Sequence, residues 1–269
     1  MRVVTVVQAR TTSTRLPGKA LLPLLGSPLL VRQLERVVAA ERVGEVVVAT
    51  TTDRSDDAIV GVAEAAGFPV VRGPVDDLLE RHLVAARAFD AEAVVKIPSD
   101  CPLIDPKVID LVLSTFLDGA ERWDFVSNLH PPTWPDGQDT EVMTRDAIEE
   151  AGAEATRGFE REHTTPFIWE RPERYNVHNV AWDRGVDYSM SHRWTIDYED
   201  DYRFVSAVYE ALGADPAWGV DEVLALLDDQ PEIGAINAEL AGVNWYRHHL
   251  DELSTVDASS TRTHPEETR

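Results

Sequence analysis

The stretch VVTVVQARTTSTRLPGKALLPL, Val3 to Leu24, begins as a valine-rich run and breaks at Gln8 into a loop containing Pro17 and Gly18. Val3 to Gln8 reads as a buried strand, because β-branched residues fit a pleated surface covered on both faces. The loop then carries Arg10, Arg15 and Lys19, spaced by five and four residues. Cations on a loop leaving a buried strand can converge on a polyanion such as a nucleoside triphosphate. The same spacing also suits a solvated basic loop. It is not a P-loop, since Ser13 stands where the first glycine would be and Ala20 where Ser or Thr would hold magnesium.

Outward from this loop, the charge balance changes sign. No Asp or Glu precedes Glu35, whereas Arg2, Arg10, Arg15, Lys19 and Arg32 all do, in a 269-residue chain of net charge −23. An acidic protein has kept one basic island, and the overall charge argues against a duplex nucleic-acid partner, which needs a broad basic face. Only Lys19, Lys96 and Lys107 are lysines among the 25 basic residues, a bias that arginine-rich coding or an acidic surface adapted to high salt would produce. No apolar run approaches the roughly 20 residues of a membrane span, and the N-terminus lacks a signal-peptide pattern, so a cytoplasmic protein is expected. The single cysteine, Cys101, allows no intrachain disulfide and no multi-thiolate metal site, and reads as packing.

The first two-thirds alternate short β-rich runs with helical patterns, the signature of a doubly wound, mostly parallel α/β sheet. Strands are expected at Val3 to Gln8, Glu45 to Ala49, Pro69 to Arg72 and Ala93 to Pro98. Helices are expected at Pro28 to Ala40, from about Asp56 to Gly67, at Val75 to Phe89 and at Pro106 to Leu117. From Trp123 to about residue 190 the pattern reads as a β-rich insert over the site, with strands near Phe125 to Asn128, Thr140 to Met143 and Tyr175 to Val180. Glu199 to Leu253 reads as a helical C-terminal part. One domain, residues 1–253, is expected, with a polar, disordered tail over 254–269.

Two β-rich runs end in an acid. Val94 to Ser99 delivers Asp100, and His192 to Ile196 delivers Asp197. Carboxylates at strand ends can hold Mg²⁺ while the metal bridges phosphates. Asp100 also reads as a turn residue, and nothing in the sequence separation brings the two acids together. Glu199, Asp200 and Asp201 read as helix-start residues complementing the dipole. His163 reads equally as a packed residue, and His248 and His249 as cations at a helix end.

Six motifs in order, QARTTSTRLPGKALLPLLGSPLL, RGPVDDLLERH, IPSDCPLIDP, PDGQDTEV, REHTTPFI and HRWTIDYEDDYRFV, resemble the spore-coat-polysaccharide branch of the cytidylyltransferases. That branch is related to the enzymes that make CMP-activated 3-deoxy-octulosonate and sialic acids. The resemblance spans about Val3 to Tyr209 and implies an A-type nucleotide-diphospho-sugar transferase fold, CTP and Mg²⁺ as partners, a small anionic acceptor such as an acidic sugar, and a homodimer. It places Arg10, with the backbone at Gln8 and Ala9, in the base- and phosphate-binding loop, and makes Arg15 and Lys19 a phosphate-neutralising pair. Asp100 and Asp197 become metal ligands, Ser99 a nucleotide contact, and Asp139, Arg161, His163 and Arg193 acceptor-side residues. Ser99 stands where the family commonly has Gly, and Tyr198 where it often has Thr. A glycosyltransferase of the same architecture using a nucleotide sugar, and a non-catalytic nucleotide-binding subunit, are the alternatives.

Overall fold

The computed structural model describes residues 1–119 and 122–263. In chain order the elements are β1 (Val3–Gln8), β2 (Pro23–Leu24), β3 (Ser27–Pro28), α1 (Leu29–Val37), β4 (Glu45–Thr51), α2 (Asp57–Ala65), β5 (Val70–Gly73), α3 (Leu78–Ala88), β6 (Ala93–Pro98) and α4 (Pro106–Asp118). They continue as β7 (Phe125–Ser127), β8 (Glu141–Thr144), α5 (Arg145–Glu154), α6 (Gly158–His163), α7 (Pro166–Trp169), β9 (Val177–Asn179), α8 (Glu199–Leu212), α9 (Val220–Asp229) and α10 (Pro231–Gly234). Seven strands form one sheet in the order β5-β4-β1-β6-β8-β7-β9, and a small β2-β3 ribbon lies apart. β1 pairs in parallel with both β4 and β6, whereas β8 runs antiparallel to β6 and β7.

Alternation along β1 builds two layers. Val3 and Val7 face the core under α1, α2 and α4, and Val4 and Val6 face the core under α3 and α5. With both faces covered, continuous apolar strands follow. A third cluster, including Trp134, Trp194, Phe204 and Trp218, joins α8 and α9 to the loops leaving the sheet. The segment expected as an insert supplies β7, β8 and β9, which extend the same sheet.

Caps explain the boundaries. The helix expected from Val75 begins only at Leu78, because Asp77 accepts a hydrogen bond from the Glu80 amide at 2.9 Å and is the N-cap. Asp105 caps α4 through the Lys107 amide, and its second oxygen accepts from the Val220 amide at 2.8 Å. One carboxylate therefore ties α4 to α9. α1 ends at Val37, three residues short of expectation, and turns lead on to Gly44.

The expected disordered tail is corrected over residues 254–263. Ser254 and Thr255 each donate a backbone amide and a hydroxyl to the Glu170 carboxylate, the Arg262 amide donates to the Gly242 carbonyl at 2.8 Å, and Leu253 is buried. Anchors of this kind were invisible in a Ser/Thr-rich composition, since the Glu170 acceptor lies 84 residues from Ser254. Residues 264–269 lie outside the described residues.

Gly44 enters β4 with φ +62°, and a Cβ there would meet the Val3 carbonyl oxygen at 2.1 Å. Gly44→Ala adds left-handed strain of about 1–2 kcal/mol to a backbone clash against β1. A lowered urea midpoint with an unchanged m-value is the expected outcome.

Candidate active site

The loop after β1 is held by its own hydrogen bonds. The Gly18 amide donates to the Thr11 carbonyl at 2.9 Å, with Gly18 at φ +71°, and this closes the loop. Thr11 donates its amide and hydroxyl to Asp56, each at 2.7 Å, which anchors the loop to the start of α2. Lys19 follows at the head of a short turn and points back toward the carboxyl ends of the strands.

There Lys19 Nζ meets both strand-end acids, at 2.9 Å from Asp100 and 3.0 Å from Asp197. The two carboxylates that sequence separation could not unite thus share one ammonium. The cause lies in the backbone: the Ile196 amide donates to the Asp100 carbonyl at 2.8 Å, and the Thr195 hydroxyl to the same oxygen at 3.1 Å. Arg15 closes the cluster at 2.6 Å from Asp197. Burial alone would push the Asp197 carboxyl up, but Lys19, Arg15 and Arg193 outweigh it and hold the group well below the usual carboxylate range. Burial likewise opposes the Lys19 charge, yet Asp100 and Asp197 raise its pKa.

These residues lie on a cleft of about 550 Å³. Of the expected site residues, Gln8, Arg10, Arg15, Lys19, Ser99, Asp100, Asp139, His163, Arg193 and Asp197 line it. Arg10 does so without an ion-pair partner among the described residues.

Three of the expected site residues have their donors engaged elsewhere among the described residues. Ala9 is fully buried and its amide donates to the Ala49 carbonyl at 3.0 Å, so that donor is committed to the sheet. Arg161 lies off the cleft: its Nε pairs with Asp77 at 2.7 Å and its Nη1 with the Gly152 and Ala155 carbonyls. Arg193 borders the cleft, but its guanidinium is 1% exposed and all five N–H groups are spent. Nε goes to Asp201, Nη1 to Asp136 and the Val243 carbonyl, and Nη2 to Asp197 and Asp201. With no donor left for an acceptor, Arg193 orients Asp197 instead. Asp201, read as a dipole residue, is fully buried and accepts the Asp197 and Tyr198 amides through Oδ2.

Sequence reasoning missed Lys96, His130, Trp169 and Trp245 as cleft residues, whereas Glu141 and His163 were among the acceptor-side residues it expected. Lys96 of β6 and Glu141 of β8 face each other in register and form an ion pair on the floor. A lysine within the apolar run Ala93–Pro98 was the available signal. His130 stacks on Trp169 at 4.1 Å, and His163 on Trp245 at 3.7 Å between ring centres. Burial pushes these imidazoles down, to about 4 for His130 and about 3 for His163, so both are neutral near pH 7. Trp245, His248 and His249 come from the C-terminal part, which forms one wall of the cleft. Cys101 is buried and burial raises its thiol pKa, leaving it a packing residue.

A mostly parallel sheet with a basic loop and two acids meeting at its strand ends defines a nucleotidyltransferase of the A-type α/β class. Residues 4–214 match the cytidylyltransferase family, and the chain belongs to it. The spore coat polysaccharide biosynthesis protein SpsF of Bacillus subtilis is 28% identical over 84% of this chain and 94% of its own length. A 3-deoxy-manno-octulosonate cytidylyltransferase of Chloroherpeton thalassium is 34% identical over 45% of this chain and 48% of its own. A solved cytidylyltransferase from Leptospira borgpetersenii superposes with a TM-score of 0.81 at 32% identity, covering 87% of this chain and 96% of that one. No helix among the described residues is long and apolar enough to cross a membrane.

Burial and then the charge of Asp100 raise the Asp139 carboxyl to about 6. A carboxyl raised above its unfolded value stabilises the fold below that unfolded value, and the contribution is lost as pH climbs through about 6. Asp139→Asn is therefore expected to raise the melting temperature of metal-free protein at pH 7.5, with a gain that shrinks towards pH 4. Melting curves across that range check the sign.

Proposed function

We propose that this cytidylyltransferase moves CMP from CTP to a small anionic acceptor, with release of pyrophosphate. The observation that carries the reading is the meeting of Arg15, Lys19, Asp100 and Asp197 at one end of a cleft large enough for two substrates. The names of the octulosonate cytidylyltransferase relatives support CTP and an acidic sugar as the substrate class.

The local charge balance bears on the cofactor. Arg15, Lys19 and Arg193 already face Asp100, Asp136, Asp197 and Asp201, so the cluster has no surplus positive charge for a triphosphate. Asp100 and Asp197 converge on a point where a cation already sits, and their oxygens are the donor type a hard divalent ion would take. Among the described residues no group of three or more His, Cys, Asp or Glu is placed to hold a metal ion. Mg²⁺ held by Asp100 and Asp197 would supply neutralisation of phosphate charge.

The chain's own residues do the rest. Arg10 meets the incoming phosphates, and Arg15 and Lys19 stabilise charge growing on pyrophosphate as the acceptor oxygen attacks the α-phosphorus in line. Arg193, locked by Asp201, holds Asp197 in place. The neutral aromatic and imidazole wall of His163, Trp245, His130 and Trp169 borders the acceptor half of the cleft, with Lys96 at its floor for an anionic group. The resemblance also leads us to expect a cytoplasmic homodimer, which light scattering tests for the assembly.

Incubation with each of the four nucleoside triphosphates, Mg²⁺ and a panel of sugar acids, followed by pyrophosphate detection, tests the reading. Acceptor-dependent release with CTP is expected; consumption of a UDP-sugar without triphosphate turnover favours a glycosyltransferase. Asp100→Asn and Asp197→Asn should each lower turnover by about 10²–10³-fold, the scale for losing one preorganised electrostatic group. Near-normal turnover in either folded variant removes it from the metal site.

A further inference from the structure

Arg81 is a fully buried guanidinium on α3, and the phosphate chemistry above makes no use of it. Its Nη1 donates to the carbonyls of Pro74 and Val75 at 2.7 and 2.9 Å, which fixes the loop between β5 and α3. Its Nη2 donates to Oε1 of Gln8, the last residue of β1. Burial, and then the nearby Arg10 charge, lower its pKa to about 10, so it remains a cation at neutral pH.

A guanidinium can only donate, so the atom of Gln8 that faces it must be the amide oxygen. This removes the usual ambiguity about which way a carboxamide points. The Gln8 NH₂ is thereby turned away from Arg81, and it makes no hydrogen bond among the described residues. Gln8 lines the cleft beside Arg10, and its register partner on β6 is Pro98, which also lines the cleft and has no N–H to offer. Leu78 lines the cleft as well. The Gln8 amide is thus an oriented donor on the cleft wall.

We propose that Gln8 reads the nucleobase, donating its NH₂ to a ring acceptor of a pyrimidine, and that Arg81 is the positioning residue that keeps this donor outward. The base it suits is cytosine, whose ring N3 is an acceptor, over uracil, whose N3 carries a hydrogen; the O2 acceptor is common to both. The inference rests on the nucleoside triphosphate reading of the cleft.

Binding decides it without knowledge of the acceptor. Calorimetric titration of the full chain with CTP, UTP and pyrophosphate should show CTP preferred over UTP. Gln8→Glu turns the outward donor into an acceptor suited to the uracil N3–H, and its CTP-to-UTP preference should fall by about tenfold or more, the scale of a lost or mismatched hydrogen bond. Affinity for pyrophosphate, which lacks a base, should be retained. Arg81→Lys, confirmed folded by its melting curve, should lose part of the same preference, because one ammonium cannot hold both the loop carbonyls and the carboxamide. Equal weakening of CTP and UTP in Gln8→Glu overturns base reading, and an unchanged preference in Arg81→Lys removes Arg81 from it. A wild-type chain that binds CTP and UTP equally refutes the inference alone, whereas one that binds neither refutes the proposed function.

Discussion

The rest of the site depends on a single ammonium. Lys19 Nζ stands between Asp100 and Asp197 at 2.9 and 3.0 Å, with its side chain 12% exposed. Two carboxylates this close to one another repel unless a cation intervenes, and the protein supplies one from the loop after β1. The contact joins three distant segments: the first loop, the end of β6 and the approach to α8. A buried pair of this kind adds little net stability against an apolar alternative, but breaking it leaves an unpaired buried charge. Its contribution is to place the loop and the acids at one point.

The acids themselves are built in layers behind that point. Asp201 accepts two backbone amides and binds Arg193 with both oxygens, and Arg193 in turn holds Asp197 and Asp136. Asn237 adds hydrogen bonds to the Arg193 carbonyl and to Asp201. Each member is satisfied, which is the condition under which a buried polar network specifies one geometry. The basic island of the sequence therefore ends in a cluster that is close to electrically balanced, and Arg10 remains the cation without an ion pair among the described residues.

Strand alternation and helix caps were legible because they are local. Val3–Gln8 and Ala93–Pro98 form strands with the expected bounds, and Asp105 followed by Pro106 starts α4 as its chemistry requires. Asp100 and Asp197 were visible as acids at the ends of β-rich runs, but their meeting rests on two hydrogen bonds to the Asp100 carbonyl, which no spacing encodes. The engagement of Arg193 was not legible, because the donors of a guanidinium can be counted only once their acceptors are known. The same holds for Arg161, its partner Asp77 lying 84 residues away. The C-terminal wall left no motif, since the stacking of His163 on Trp245 follows from tertiary placement.

On the proposed reading, the balance of charge explains why a lysine occupies the space between the two acids. A cleft that kept Arg15 and Lys19 unpaired would hold two like charges together before any substrate arrived, at a cost in stability. Pairing them with Asp197 and Asp100 removes that repulsion and keeps the acids ionised. A triphosphate with a divalent cation would supply partners to both sets: the metal to the carboxylates of Asp100 and Asp197, the phosphates to the ammonium and guanidinium. Such an exchange would replace the charge contacts it breaks, so that binding need not leave bare charge in a partly buried site. Either component alone would break the Lys19 bridge without replacing both of its halves, which couples the metal and the nucleotide thermodynamically through Lys19.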